Sequence, residues 1–82
     1  MNVARFDRNL WNITSFERVG YDKKDSILTI FFLDGFQIEF AEVDELIVFE
    51  FIISTNKEDY IKNVLLSNYP YIQLPKSTYK SS

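Results

Sequence analysis

The stretch from Val19 to Phe40, VGYDKKDSILTIFFLDGFQIEF, limits the folds open to this chain more than any other segment. Its apolar residues recur every second position, the period of a strand with one buried face. Ser15 to Asp22 reads as a first strand with Val19 and Tyr21 on one face. Lys23-Lys24-Asp25-Ser26 is a polar turn, and Ile27 to Phe32 is a β-branched and aromatic second strand. A four-residue loop sets Asp22 opposite Ile27. Tyr21 then faces Leu28 and Val19 faces Ile30, so the apolar sides coincide.

The next hairpin offers two registers. Asp34-Gly35 as a two-residue type I′ turn would pair Ile30 with Glu39 and Phe32 with Gln37. A three-residue loop, Leu33-Asp34-Gly35, instead pairs Phe32 with Phe36, Ile30 with Ile38 and Leu28 with Phe40. Only the second gives an unbroken apolar face, with Thr29, Phe31, Gln37 and Glu39 on the other. A one-residue slip turns every side chain over, so burial selects the three-residue loop, with Gly35 left-handed.

The flanks are less regular. Phe6, Leu10 and Ile13 fall at helical spacings, which fits a short helix over 3–11; a flexible arm over 1–13 is the other reading. Residues 41–55 admit strand or helix. Glu42, Asp44 and Glu45 crowd its start, as acids do at a helix N-terminus, and favour a helix over 44–54. That helix would group Leu46, Ile47, Glu50, Phe51 and Ser54. A second helix over 57–68 is capped by Thr55 or Asn56 and carries Glu58 and Asp59 in its first turn. Its apolar stripe is Tyr60, Ile61, Val64 and Leu65, with Lys57 elsewhere, and Pro70 closes it. Residues 69–75 are extended and suited to covering an edge; residues 76–82 are expected to fray. The predicted fold is α+β: a three-stranded antiparallel β-meander followed by two packed helices.

With 82 residues the chain is sized for a single domain spanning 1–82. A domain this small buries only about 60–65% of its unfolded surface. It has no Cys and no His, so packing must stabilise it; eight Phe, five Tyr and one Trp supply the apolar area. The same absence excludes Cys or His nucleophiles, a His general base, and zinc, haem or iron–sulfur sites of the usual ligands. No cofactor is expected, and an enzyme is not. Apolar runs reach only four residues, such as Ile30 to Leu33, too short to span a membrane. No basic, apolar leader opens the chain, so a cytoplasmic location is expected. The richness in Asn, Lys, Ile, Phe and Tyr suits a bacterial or phage source.

The net charge of −3 is unevenly spread. Seven acids and no base lie between Asp25 and Glu50, whereas Arg5, Arg8, Arg18, Lys23 and Lys24 fall in the first 24 residues. Glu39, Glu42, Asp44 and Glu45 make a candidate acidic docking surface for a protein partner, although acids at a helix start are also ordinary. Trp11, Arg18, Tyr21, Lys23 and Lys24 make a candidate basic and aromatic platform for a nucleic acid or nucleotide. The acids match no calcium-loop spacing, and no glycine-rich phosphate cradle exists.

The residues Phe16, Gly20-Tyr21-Asp22, Leu28, Ile30, Phe32, Asp34-Gly35, Val43, Phe49 and Tyr60-Ile61 follow one another in an order that resembles the KTSC domain family, over about 15–68. That family is known from the C-terminal extension of some lysyl-tRNA synthetases and from short bacterial and phage proteins. The resemblance implies a β-meander with helices, and RNA binding as a suggested role. Here Ile38-Glu39-Phe40 stands where the family has Tyr-x-Tyr, which removes two hydroxyls. The leading expectation is a small non-enzymatic interaction or regulatory protein docking through its acidic face. The alternatives are binding of a nucleic acid or nucleotide, and sequestering of a small molecule at a homo-oligomer interface lined by aromatics such as Trp11 and Tyr71.

Overall fold

The structure is a computed structural model that describes residues 2–11 and 13–74, apart from the side chains of Asn2 and Trp11. The expected tail over 76–82 lies outside the described residues. Five antiparallel strands follow one another across one sheet: β1 (Asn2–Arg5), β2 (Phe16–Asp22), β3 (Ile27–Phe32), β4 (Gln37–Phe40) and β5 (Tyr71–Leu74). The α+β class stands, but the sheet has five strands rather than three.

The central register is the one burial selects. Val19 pairs with Ile30 and Tyr21 with Leu28. Leu28 pairs with Phe40 and Ile30 with Ile38. In the second hairpin, the Phe32 amide donates to the Phe36 carbonyl at 2.9 Å and the Gly35 amide to the Phe32 carbonyl at 3.1 Å. Gly35 has φ of 97°, so the left-handed position belongs to the residue that carries no Cβ. Asp22 closes the first turn, its Oδ1 accepting from the Lys24 and Asp25 amides.

Between Phe16 and Arg18 the pairing of β2 with β3 slips, a β-bulge. The bulge changes the parity of β2. Phe16 and Val19, three residues apart, both enter the core, while Arg18 points to the opposite face.

β1 corrects the expectation for the N-terminal flank, while β5 bears out the extended, edge-covering reading of 69–75. β1 pairs with β2, with Ala4 opposite Val19, so the helix over 3–11 is a strand and then a single turn, α1 (Arg8–Trp11). Asp7 starts that turn by accepting from the Asn9 and Leu10 amides. β5 pairs with β4, with Tyr71 opposite Phe40, and so covers that edge as a strand. Neither pairing has a local signature, because each partner lies far along the chain.

The helix expected over 44–54 is α2 (Glu45–Ile53). Asp44 is its N-cap, with Oδ1 accepting from the Ile47 amide at 3.1 Å. Its inward side differs from the expected grouping: Val48 and Phe51 are buried, and Leu46 is not. The segment is apolar nearly all round, so periodicity could not choose a face. The aromatic core chose it. Phe51 stacks on Phe16 at 6.1 Å, and Phe6 meets both rings edge-on at 6.3 Å.

The second helix fills the expected 57–68 as three shorter helical pieces rather than one regular α-helix. α3 (Lys57–Tyr60) runs through a π-helical turn (Ile61–Leu65) into α4 (Leu66–Asn68). Asn56 caps α3, its side chain exchanging hydrogen bonds with the Asp59 amide and carboxylate. Ile61 and Leu65 of the expected stripe are buried. All the helical core residues join Val19, Leu28, Ile30 and Phe40 in one cluster, so the helices pack on one face of the sheet.

Lys57 was placed off that stripe, yet only 1% of it is exposed. Its Nζ donates to the carbonyls of Ile52 and Ser54, and at 3.4 Å to that of Phe51. These carbonyls lie at the end of α2, where helical donors run out; the Phe51 carbonyl also accepts from the Ser54 amide at 3.2 Å. The ammonium also lies 5.0 Å from the centre of the Phe6 ring. Burial lowers its pKa from 10.5.

Candidate docking surface

α2 buries one side and presents the other to solvent with large apolar residues on it. Leu46, Phe49 and Ile53 are 63%, 57% and 55% exposed. They stand at i, i+3 and i+7. At about 100° per residue they span roughly 60° of the helix circumference. Glu45 and Glu50 lie about 40° beyond either flank, so the apolar ridge is bordered by carboxylates on both sides. The cause is local. Phe51 and Val48 are drawn into the aromatic core, and a helix cannot bury those two without turning 46, 49 and 53 outward.

The acidic residues singled out from sequence divide between two places. Glu42, Asp44 and Glu45 meet at the start of α2. Glu42 is exposed with φ of 61°, Asp44 caps the helix, and Glu45 pairs with Lys23 at 3.4 Å. Glu39 does not join them. It pairs with Thr29 and Ile72, half-buried on the sheet face opposite Phe40 and the helices. Glu50, on the other flank of the ridge from Glu45, accepts at 3.3 Å from the Tyr60 hydroxyl. Burial, reinforced by the Glu50 charge and this bond, pushes the Tyr60 pKa up to about 12. The sequence carried no signal for the ridge itself, because a helix apolar nearly all round does not mark which side faces out.

The basic and aromatic candidates are scattered. The Trp11 side chain lies outside the described residues. Arg18 stands on the open sheet face, its guanidinium carbon 5.2 Å from the Phe31 ring centre. The Tyr21 hydroxyl donates to the Val43 carbonyl at 2.6 Å and its ring packs against the core. Lys23 and Lys24 occupy the first turn, with Lys23 turned to Glu45. Near them in sequence, Arg5, Arg8 and Glu17 line a polar cleft of about 440 Å³ with Phe6, Asp7 and Asn9. Both arginines there share the one Glu17 carboxylate, at 3.0 and 3.2 Å.

A second carboxylate does structural service. Glu58 accepts from the Thr14 and Ser15 amides at 3.0 and 2.9 Å and from the Ser15 hydroxyl at 2.6 Å, tying α3 to the entry of β2. Burial alone would raise its pKa; the bonds from Ser15 and Thr14 together outweigh it and hold the carboxyl below its ordinary value. Among the described residues, no group of three or more Asp or Glu is placed to hold a metal ion, and no helix is long and apolar enough to cross a membrane.

A five-stranded meander with its helices on one face, tied by Tyr21 to Val43 and by Glu58 to Thr14 and Ser15, defines a small α+β domain. The KTSC domain family model matches residues 14–69, and the chain belongs to the KTSC domain family. The crystal structure of a KTSC domain protein from Yersinia pestis is similar, with a TM-score of 0.69 and 16% identity over 90% of this chain and 100% of that one. Comparison with the curated proteins found no match. The motif residues now have physical roles. Gly20 is buried within the sheet, Tyr21 reaches the Val43 carbonyl, and Asp22 closes the first turn.

Proposed function

We propose that this protein is a non-enzymatic interaction module that docks on a protein partner through the outer side of α2. The exposed ridge Leu46-Phe49-Ile53, bordered by Glu45 and Glu50, carries this reading. Spacing of i, i+3 and i+7 is how a helix inserts anchors into an apolar groove, and the bordering acids suit a groove with Lys or Arg on its rim. Glu42 and Asp44 extend the acidic surface at the helix start.

Capture of partners from a bacterial lysate tests it, with three baits: the wild-type chain, Phe49→Glu, and a chain with Glu42 and Glu45 changed to Lys. The expected outcome is a protein held by the wild type and lost from both variants, with unchanged circular dichroism. A partner retained by both would overturn the reading. The second reading is binding of a single-stranded nucleic acid, favoured by Arg18 lying over Phe31 on an open sheet. It requires salt-sensitive binding that disappears when Arg18, Lys23 and Lys24 become Glu.

A further inference from the structure

The sheet has a second face that no helix covers among the described residues. Strand alternation and pairing place Val3 and Arg5 of β1, Arg18 of β2, Ile27, Thr29 and Phe31 of β3, Gln37 and Glu39 of β4, and Ile72 and Leu74 of β5 on that side. The β1–β2 side carries Arg5 and Arg18, together with Asp22, whose carboxylate is held by the Lys24 and Asp25 amides; the β4 side carries Glu39. Phe31 pairs with Arg18 on one side, and Thr29 with Glu39 on the other. Arg18 has no ion pair among the described residues, and neither has the half-buried Glu39. Thr29 lies between them, 1% exposed, and its hydroxyl has no hydrogen-bond partner among the described residues. An uncovered sheet face with apolar residues, a half-buried unpaired carboxylate and a matching unpaired guanidinium is an incomplete arrangement for one chain.

We propose that this open sheet face is the contact surface of a two-fold dimer, with a second copy of the chain as its occupant. A two-fold axis running along β3, between two stacked sheets, carries the β1–β2 side of one copy over the β4–β5 side of the other. Arg18 of each copy then meets Glu39 of its mate, twice over, and Phe31 and Ile27 pack along the axis. Sheets stacked this way keep their strands within about 30° of one another, and the contact is self-complementary as a two-fold interface requires. The α2 ridge does not offer the same match to a second copy, because Glu45 and Glu50 border it on both sides and would face their own kind. This inference uses a different surface from the docking helix and stands or falls separately.

Sedimentation of the full chain over a concentration series at low salt tests it. The wild type is expected to move from monomer to dimer. Arg18→Glu and Glu39→Arg should each weaken association by about tenfold or more, through loss of two pairs and their replacement by like charges. An equimolar mixture of these two variants should associate again as a heterodimer, because each then supplies the charge the other lacks. Loss of folding cannot produce that rescue. If one reversal fails to fold, Ile72→Asp probes the same face at a position 56% exposed, and dimer should be lost there too. A monomer at every concentration overturns the proposal. So does association untouched by these changes, or association abolished by Phe49→Glu instead.

Discussion

Glu58 serves its own chain, its carboxylate accepting from the amides and the hydroxyls of both Thr14 and Ser15. Sequence placed it in the first turn of a helix, where acids are common, and gave no hint of this long-range tie. Glu58→Ala would leave the Ser15 amide and hydroxyl, which are half-buried, without their partner, at a cost of about 1–2 kcal/mol. The tie is also pH-dependent. The folded-state pKa lies below the ordinary value of 4.5, so the folded chain holds its charge more firmly than the unfolded chain does. Its stabilisation is therefore complete above that value and lost as pH falls through the folded pKa. Thermal melts of wild type and Glu58→Gln should differ near neutral pH and converge progressively as the pH falls below the ordinary value of 4.5. A constant gap down to pH 3, to within about half a kcal/mol, would show that the ionised carboxylate contributes nothing.

At the level of elements, legibility followed locality. The two central hairpins were readable because register and turn chemistry agree: only the Leu33-Asp34-Gly35 loop puts Leu28, Ile30, Ile38 and Phe40 on one face. That agreement yields a sharp expectation at Gly35, whose φ of 97° strains any residue with a Cβ and a β-branched one most. Gly35→Val should lose about 2 kcal/mol in urea unfolding, and Gly35→Asn distinctly less, because Asn tolerates left-handed backbone. Equal losses would mean that the strain lies elsewhere. α2 was readable as a helix from Asp44 and Glu45, but not its rotation. With Ile, Val, Phe and Leu on all sides, only the stacking of Phe51 on Phe16 decides which side is buried. That same rotation creates the docking ridge, so the ridge was illegible for the same reason. Lys57 was misread because a Lys inside a core is rare, and the α2 carbonyls that accept from it end a different helix.

For the whole molecule, the parts the sequence hid are its edges. β1 and β5 lie outside residues 14–69, the span that matches the family model, and each depends on pairing with a strand already in place. They are not equivalent. Phe6, just after β1, meets the stacked Phe16 and Phe51 edge-on and lies against the Lys57 ammonium, so it closes the aromatic core and covers a buried charge at once. Tyr71 of β5 is 48% exposed and touches the core through Phe40 alone among the ring contacts, at 5.7 Å. Removing a half-buried ring at the core costs more than removing one on an exposed edge, and the cost grows when a cation beneath it loses its neighbour. Phe6→Ala is therefore expected to lose about 3 kcal/mol, and Tyr71→Ala about 1 kcal/mol. For a domain of this size, about 1 kcal/mol corresponds to roughly 4–8 °C in melting temperature, so calorimetry separates the two readily. The Tyr71 variant should still fold but should aggregate faster on heating, because a weakened β5 leaves the β4 edge open to other chains. If Tyr71→Ala proves the costlier change, the stability of this domain rests on its C-terminal edge and not on the aromatic cluster around Phe16.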